Sequence, residues 1–199
     1  MSQVTSLNAV LEAELKDLYS AENQLIKALP KMAKKASNKA LREAIQSHLA
    51  ETEGQIERLQ KIGEVLRFKL SGKVCKAMQG LIEEAKDALE GDSDEPALID
   101  TMLIAAAQRV EHYEMSGYGT AAAIARQLDL TEVVELLEET LEEEAGADKK
   151  LTALSEEEIL PQAAAGVAEP DTEEVGKSSE RLSSRTRSRT GKSEPRARV

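Results

Sequence analysis

Acidic side chains interrupt the apolar stripes of this sequence at positions that helical spacing assigns to a protein core. On the first helical segment, Glu22 stands in line with the leucines of one face. His48 and Glu51 lie one turn apart on the second segment. The complete set of candidate metal ligands, six acids and one histidine, is Glu22, His48, Glu51, Glu111, Glu114, Glu144 and Asp148. Buried carboxylates need cations nearby, and oxygen-rich ligation with an occasional imidazole suits iron or manganese.

These residues are expected to share one level of the fold. Glu22 precedes the turn at 37–38 by about as many residues as residue 53 follows it, which places Glu22 beside Glu51 and near His48. The same counting about the turn at 129–130 sets Glu114 beside Glu144, with Glu111 opposite Asp148. The negative charge of six carboxylates is about equal to the positive charge of two metal ions. The prediction is a dinuclear centre with iron as the metal and manganese as the alternative.

Each position also has an ordinary interpretation. The chain contains 37 acidic residues, so a single Glu on one helix face is usually solvated surface. His48 by itself fits a hydrogen-bonded interior histidine as well as a ligand. The metal interpretation rests on the coincidence of four helices at one level.

The elements that would position these residues are helical. Apolar residues recur at three- and four-residue steps over five segments, namely 7–36, 38–68, 74–90, 96–128 and 131–160, and Pro161 is expected to end the last one. Short links make two antiparallel hairpins, 7–68 and 96–160, and the long link between them carries the short helix. This order predicts an all-α, ferritin-like four-helix bundle with one crossover.

Composition sets the domain limits and excludes several classes of protein. Aromatic residues are only 2% of the 199 residues, which disfavours a β-sandwich or barrel, and the single Cys suits a reducing cytoplasm. We expect residues 1–160 to form the bundle and residues 161–199, acidic and then basic and rich in Ser, Arg and Pro, to be a disordered tail. We expect neither secretion nor membrane insertion, because the sequence shows no basic-then-apolar leader and no apolar run of the length that spans a membrane.

The charge distribution bears on partners. The net charge is −11, but the 23 residues from Lys177 onward hold eight basic and two acidic residues. An acidic body does not suit nucleic-acid binding, so contact with nucleic acid is limited to weak phosphate binding by the basic tail. A solvated tail without any partner is the alternative.

Five stretches of the chain resemble the YciE/YciF family of bacterial ferritin-like stress proteins. They are ELKDLYSAENQLIKALPKMAKKAS (14–37), HLAETEGQIERL (48–59), CKAMQGLIEEAKDAL (75–89), QRVEHYEMSGYGTA (108–121) and LLEETLEEEAGADKKLTAL (136–154). The resemblance implies a homodimer with a metal centre inside the bundle and a role in stress responses. The common di-iron pattern uses Glu-x-x-His on two helices, whereas this chain has His48-x-x-Glu51 and Glu144-x-x-x-Asp148.

Two functions follow from these observations. In the first, the protein oxidises Fe(II), or consumes an oxidant, at the paired metals during stress. In the second, it is a non-enzymatic helical stress protein whose metal is structural or whose surface binds a partner.

Overall fold

The computed structural model describes residues 5–166, which fold into helices. These are α1 (Leu7–Lys35), α2 (Lys39–Leu66), α3 (Lys76–Glu90), α4 (Pro96–Gln127), α5 (Thr131–Leu154), a π-helical turn (Ser155–Ile159) and α6 (Leu160–Gly166). No strand occurs between residues 5 and 166. None of these helices combines the length and the apolar content that a membrane span requires.

The ends of the long helices follow from local sequence. Ser6 caps α1 by accepting a hydrogen bond from the backbone N–H of Ala9, and Asn38 caps α2 through the N–H of Leu41. Arg67 ends α2 in the left-handed region at φ 58°. Pro96 occupies the first turn of α4, where its missing N–H is tolerated.

The four long helices form the predicted ferritin-like bundle. α1 packs on α2, and α4 packs on α5, which makes two hairpins with short turns. The hairpins meet through contacts of α1 with α4 and of α2 with α5. α3, carried by the long crossover, packs against both α1 and α4. The fold class expected from the periodicity and the loop lengths is therefore confirmed.

A buried carboxylate joins the turn of the first hairpin to the second. Asp100 on α4 is 2% exposed and accepts hydrogen bonds from the backbone N–H of Ser37 at 2.9 Å, its hydroxyl at 2.5 Å, and the N–H of Asn38 at 2.8 Å. The turn between α1 and α2 is thereby held at a fixed height against α4.

The prediction that Pro161 ends the last helix is wrong. The backbone N–H of Leu160 donates to the carbonyl of Ser155, so a π-helical turn precedes the proline, and helix continues as α6 to Gly166. This turn changes the hydrogen-bond register where the ring of Pro161 would clash with an α-helical carbonyl. Ile159 and Ala163 are buried, and their segments pack on α4, which favours continuation. Residues 161–166 are thus helical, and the rest of the predicted disordered tail lies outside the described residues.

The interior has two apolar clusters with polar side chains between them. One cluster includes Leu25, Leu29 and Leu103, and the other includes Leu15, Leu59 and Leu137. We call the buried polar side chains between them the polar layer; they are Glu22, His48, Thr52, Gln55, Glu111, Glu114, Thr140 and Glu144. The polar layer contains the candidate functional site.

Candidate metal centre

Five ionisable side chains of the polar layer converge inside the bundle. α1 supplies Glu22, α2 supplies His48, α4 supplies Glu111 and Glu114, and α5 supplies Glu144. His48 is 6% exposed, Glu111 is 2% exposed, and the other three are fully buried. The predicted meeting of acids at one level is found for α1, α4 and α5, whereas α2 contributes the imidazole of His48.

Four of the five can offer ligand atoms to one small volume. One atom each from His48, Glu111, Glu114 and Glu144 lies within 4.8 Å of the other three. His48 Nε2 is 3.6 Å from Glu111 Oε1, and His48 Nδ1 is 3.9 Å from Glu144 Oε2. These separations are too long for hydrogen bonds, but they suit atoms arranged around a cation.

Glu22 lies at the edge of this group. The hydroxyl of Tyr118 donates a 2.5 Å hydrogen bond to Glu22 Oε1. Burial, together with the charge of Glu144, raises the pKa of Glu22 to about 8. The carboxylate of Glu22 is therefore held by a tyrosine on one side and faces the other acids on the other side.

The polar layer contains an unusual concentration of buried atoms without hydrogen-bond partners. Within residues 5–166, every such side-chain atom belongs to it: Glu22 Oε2, His48 Nδ1 and Nε2, Gln55 Oε1, Glu111 Oε2, and both carboxylate oxygens of Glu114 and of Glu144. Buried polar groups are nearly always paired because an unpaired one costs about 1–3 kcal/mol. Carboxylate oxygens and imidazole nitrogens without partners fit a bound cation.

Burial and mutual repulsion shift the protonation of the acids. Desolvation raises the pKa values of Glu111 and Glu114 well above the usual range and also raises that of Glu144. Burial alone would lower the pKa of His48, but Glu51, Glu111 and the other acids outweigh it and raise the pKa to about 9. The metal-free cluster therefore retains protons at neutral pH, and a cation would have to displace them.

The structure does not bring the remaining two predicted ligands, Glu51 and Asp148, into the buried group. The side chain of Glu51 is 40% exposed, and its Oε2 is 3.7 Å from His48 Nδ1. Asp148 accepts a 3.0 Å hydrogen bond from Gln108 and lies 3.4 Å from His112 Nε2. Both residues lie at the border of the layer rather than within it.

Several polar neighbours of the cluster were absent from the predicted ligand set. Gln55 is fully buried, and its amide nitrogen donates to Glu143 at 3.1 Å. Arg58 binds Glu143 and also donates to Thr140 at 3.0 Å. Thr52 and Gln55 follow His48 at helical spacing, so interruption of the apolar stripe was the signal that could have found them.

A cavity of about 230 Å³ leads to the cluster between α2 and α5. His48 and Glu111 are its buried polar lining, whereas the exposed Ser47 and Lys150 lie at its opening. The cluster is thus approached from one side of the bundle. A small molecule in this cavity would contact the residues that converge on the candidate metal position.

Comparison with known proteins identifies relatives along most of the chain. A family model described as "Domain of unknown function (DUF892)" matches residues 6–164. The YciF protein of Escherichia coli (strain K12) is 49% identical over 142 residues, which cover 71% of this chain and 85% of that protein.

Solved structures give the same result. The crystal structure of the E. coli stress protein YciF matches with a TM-score of 0.73 and 46% identity, covering 75% of this chain and 94% of that one. The YcfI protein of Rhodopseudomonas palustris matches with a TM-score of 0.72 and 41% identity, covering 76% of this chain and 96% of that one.

Proposed function

The chain belongs to the YciE/YciF family, whose family model is described as DUF892. From the buried cluster of His48 and four carboxylates, we propose that it is a stress-related dimetal protein that oxidises Fe(II). The metal is iron, with manganese as the alternative. The oxidant is dioxygen or a peroxide. With hydrogen peroxide, the overall reaction would convert two Fe(II), one molecule of peroxide and two protons into two Fe(III) and two molecules of water.

One observation carries this proposal. The buried nitrogen and oxygen atoms without partners all lie in the polar layer of the described residues, and the ionisable groups among them are one imidazole and four carboxylates. No Lys or Arg belongs to the buried polar residues of residues 5–166, so His48 is the single side chain of the layer that can carry a positive charge against four carboxylates. Oxygen-rich sites of this kind suit iron and manganese rather than thiolate-seeking metals.

The residues have distinct roles in this proposal. His48, Glu111, Glu114 and Glu144 would hold metal, and Glu22 would complete the site on the side of α1. The bound ions supply reversible one-electron chemistry. The Tyr118 hydroxyl keeps Glu22 oriented through its hydrogen bond. Glu51, which touches His48, would orient the imidazole and keep it protonated when metal is absent.

Metal stoichiometry and turnover test the proposal. Metal-free full-length protein should bind two Fe(II) per chain under anaerobic conditions and then oxidise added Fe(II) faster than buffer does when peroxide is supplied. Glu144→Gln should lose at least one ion per chain and slow oxidation by at least about tenfold, the scale seen when metal-site residues are altered. Glu142→Gln, on the exposed side of the same helix, is the control. Equal rates for both variants, or a rate no faster than buffer, would contradict the proposal.

A structural role for the metal is the second candidate. It is favoured by the position of the polar layer, which receives side chains from all four long helices and lies between two apolar clusters. A cation there would join the helices without any turnover. Two bound ions that raise the melting temperature, without faster Fe(II) oxidation, would favour this role. The homodimer and the cytoplasmic location stay predictions.

A further inference from the structure

The cavity beside His48 and Glu111 is larger than the proposed iron and oxidant chemistry requires. An apolar cavity of about 150 Å³ accommodates benzene, which has six non-hydrogen atoms. Scaled by volume, the 230 Å³ found here accommodates about nine such atoms. Dioxygen and hydrogen peroxide have only two. The space therefore suits an organic molecule.

The walls of the cavity are mainly hydrocarbon. Its apolar lining consists of Leu29, Ala44, Ile45, Ala107, Ala147 and Leu151. All except the half-buried Ala147 are buried, so these walls lie inside the bundle. Polar atoms at the buried end come from His48 and Glu111, and both His48 nitrogens lack a hydrogen-bond partner. A ligand that fits has a hydrocarbon body and one polar end.

The charged residues at the opening compensate one another. Lys150 is the single Lys or Arg among the lining residues that the structure describes. Glu51 lines the same cavity and carries the opposite charge. Glu143, another lining residue, is bound by Arg58. An anionic or cationic ligand would find no uncompensated partner at the opening.

We propose that this cavity binds an uncharged organic molecule of up to about nine non-hydrogen atoms, mainly hydrocarbon, whose polar end meets His48 and Glu111. This binding does not rest on the proposed function, because the cavity walls are formed by the protein alone. The experiment therefore begins with metal-free protein.

The test uses a series of probes that differ only in the polar end. Methyl NMR spectra of metal-free full-length protein are recorded with 1-heptanol, heptanoate and heptylammonium. Heptanol should shift the methyl signals of Ile45, Ala107 and Leu151, and the shifts should reach a plateau as its concentration rises. Both charged probes should bind at least about tenfold more weakly, because their charges must be desolvated. Absence of these shifts with heptanol, or tighter binding of either charged probe, would overturn the proposal.

Variants locate the binding and separate it from the metal chemistry. Ala147→Leu should fill part of the cavity and weaken heptanol binding by at least about tenfold. Ser47→Leu, at the exposed opening, should act the same way without disturbing the core, and Ala50→Leu is an exposed control on the same helix. Unchanged heptanol binding in both cavity variants would refute the location. Heptanol binding by a chain that binds no Fe(II) would sink the proposed function and leave the cavity proposal standing.

Discussion

Replacing Glu22 by Gln should stabilise the metal-free protein and destabilise the metal-loaded one. Burial raises the pKa of Glu22 to about 8 from an ordinary value of 4.5, so the folded chain must hold a proton that the unfolded chain has released at pH 7. Holding that proton costs about 3 kcal/mol at pH 7, from about 1.4 kcal/mol per pH unit. Gln is similar in shape, carries no charge, and can still accept the hydrogen bond from Tyr118.

The sign of this effect fixes its pH dependence. A carboxyl whose folded pKa is raised contributes its stability below pH 4.5 and loses it as pH rises toward about 8. The advantage of Glu22→Gln over the parent chain should therefore be absent near pH 4 and grow through pH 7. At pH 7 it should raise the melting temperature by about 6–12 °C in chelator, at about 2–4 °C per kcal/mol.

Thermal unfolding followed by circular dichroism, with chelator and then with Fe(II) under anaerobic conditions, measures both halves of the prediction. With metal, the order should reverse, because Glu22→Gln loses a ligand and with it part of the stabilisation that binding gives. Glu53→Gln, an exposed substitution on α2, should change neither result. A lower melting temperature for Glu22→Gln in chelator at pH 7, or a gain that persists at pH 4, would refute the assignment of an uncompensated buried acid.

Three further predictions concern the scaffold. Asp100→Asn should lower the free energy of unfolding, measured in urea, by about 1.5–3 kcal/mol, because it weakens three hydrogen bonds to the turn between α1 and α2. The metal stoichiometry should be unchanged. An unchanged free energy of unfolding would contradict the role of Asp100 in holding this turn. Gly119→Ala should stabilise the protein by up to about 1 kcal/mol in the same assay. Gly117→Ala should not stabilise it, because the new Cβ would lie 2.7 Å from Leu18 Cδ2. Equal stabilisation by the two substitutions would show that the clash with Leu18 is relieved. Cys75 is 1% exposed with a raised pKa, so iodoacetamide should label it at least about 100-fold more slowly in native protein than in urea, as followed by mass spectrometry.

The level of the acids along the bundle could be predicted because it depends only on residue counts. A helix rises by a constant amount per residue, so positions equally far from a short turn face each other. Glu22 and His48 were expected at one height on this basis, and so were Glu114 and Glu144. Each pair lies in the buried layer. The ferritin-like order of helices followed in the same way from periodicity and loop length.

Side-chain direction could not be predicted with the same accuracy. Glu51 is three residues after His48, which rotates it by about 60° around the axis of α2, and this rotation leaves it at the opening of the cavity. Asp148 has a short side chain that Gln108 and His112 engage at the border. Helical spacing places both residues near the inward face of their helices, yet their contacts depend on neighbours from other helices. Pro161 was misjudged for a similar reason, since burial of Ile159 and Ala163 against α4 outweighs a local helix-breaking preference.

The position of the polar layer explains how the bundle tolerates its own acids. Apolar clusters lie on both sides of it, so the helices are held together above and below the point where carboxylates repel each other. Asp100 also holds the turn between α1 and α2 against α4 by accepting a hydrogen bond from Ser37. The ion pair of Arg58 with Glu143 joins α2 to α5. The helices are consequently held in place before a cation binds, and the orphaned oxygens remain gathered when it is absent. A protein selected only for stability would have filled this layer with leucine.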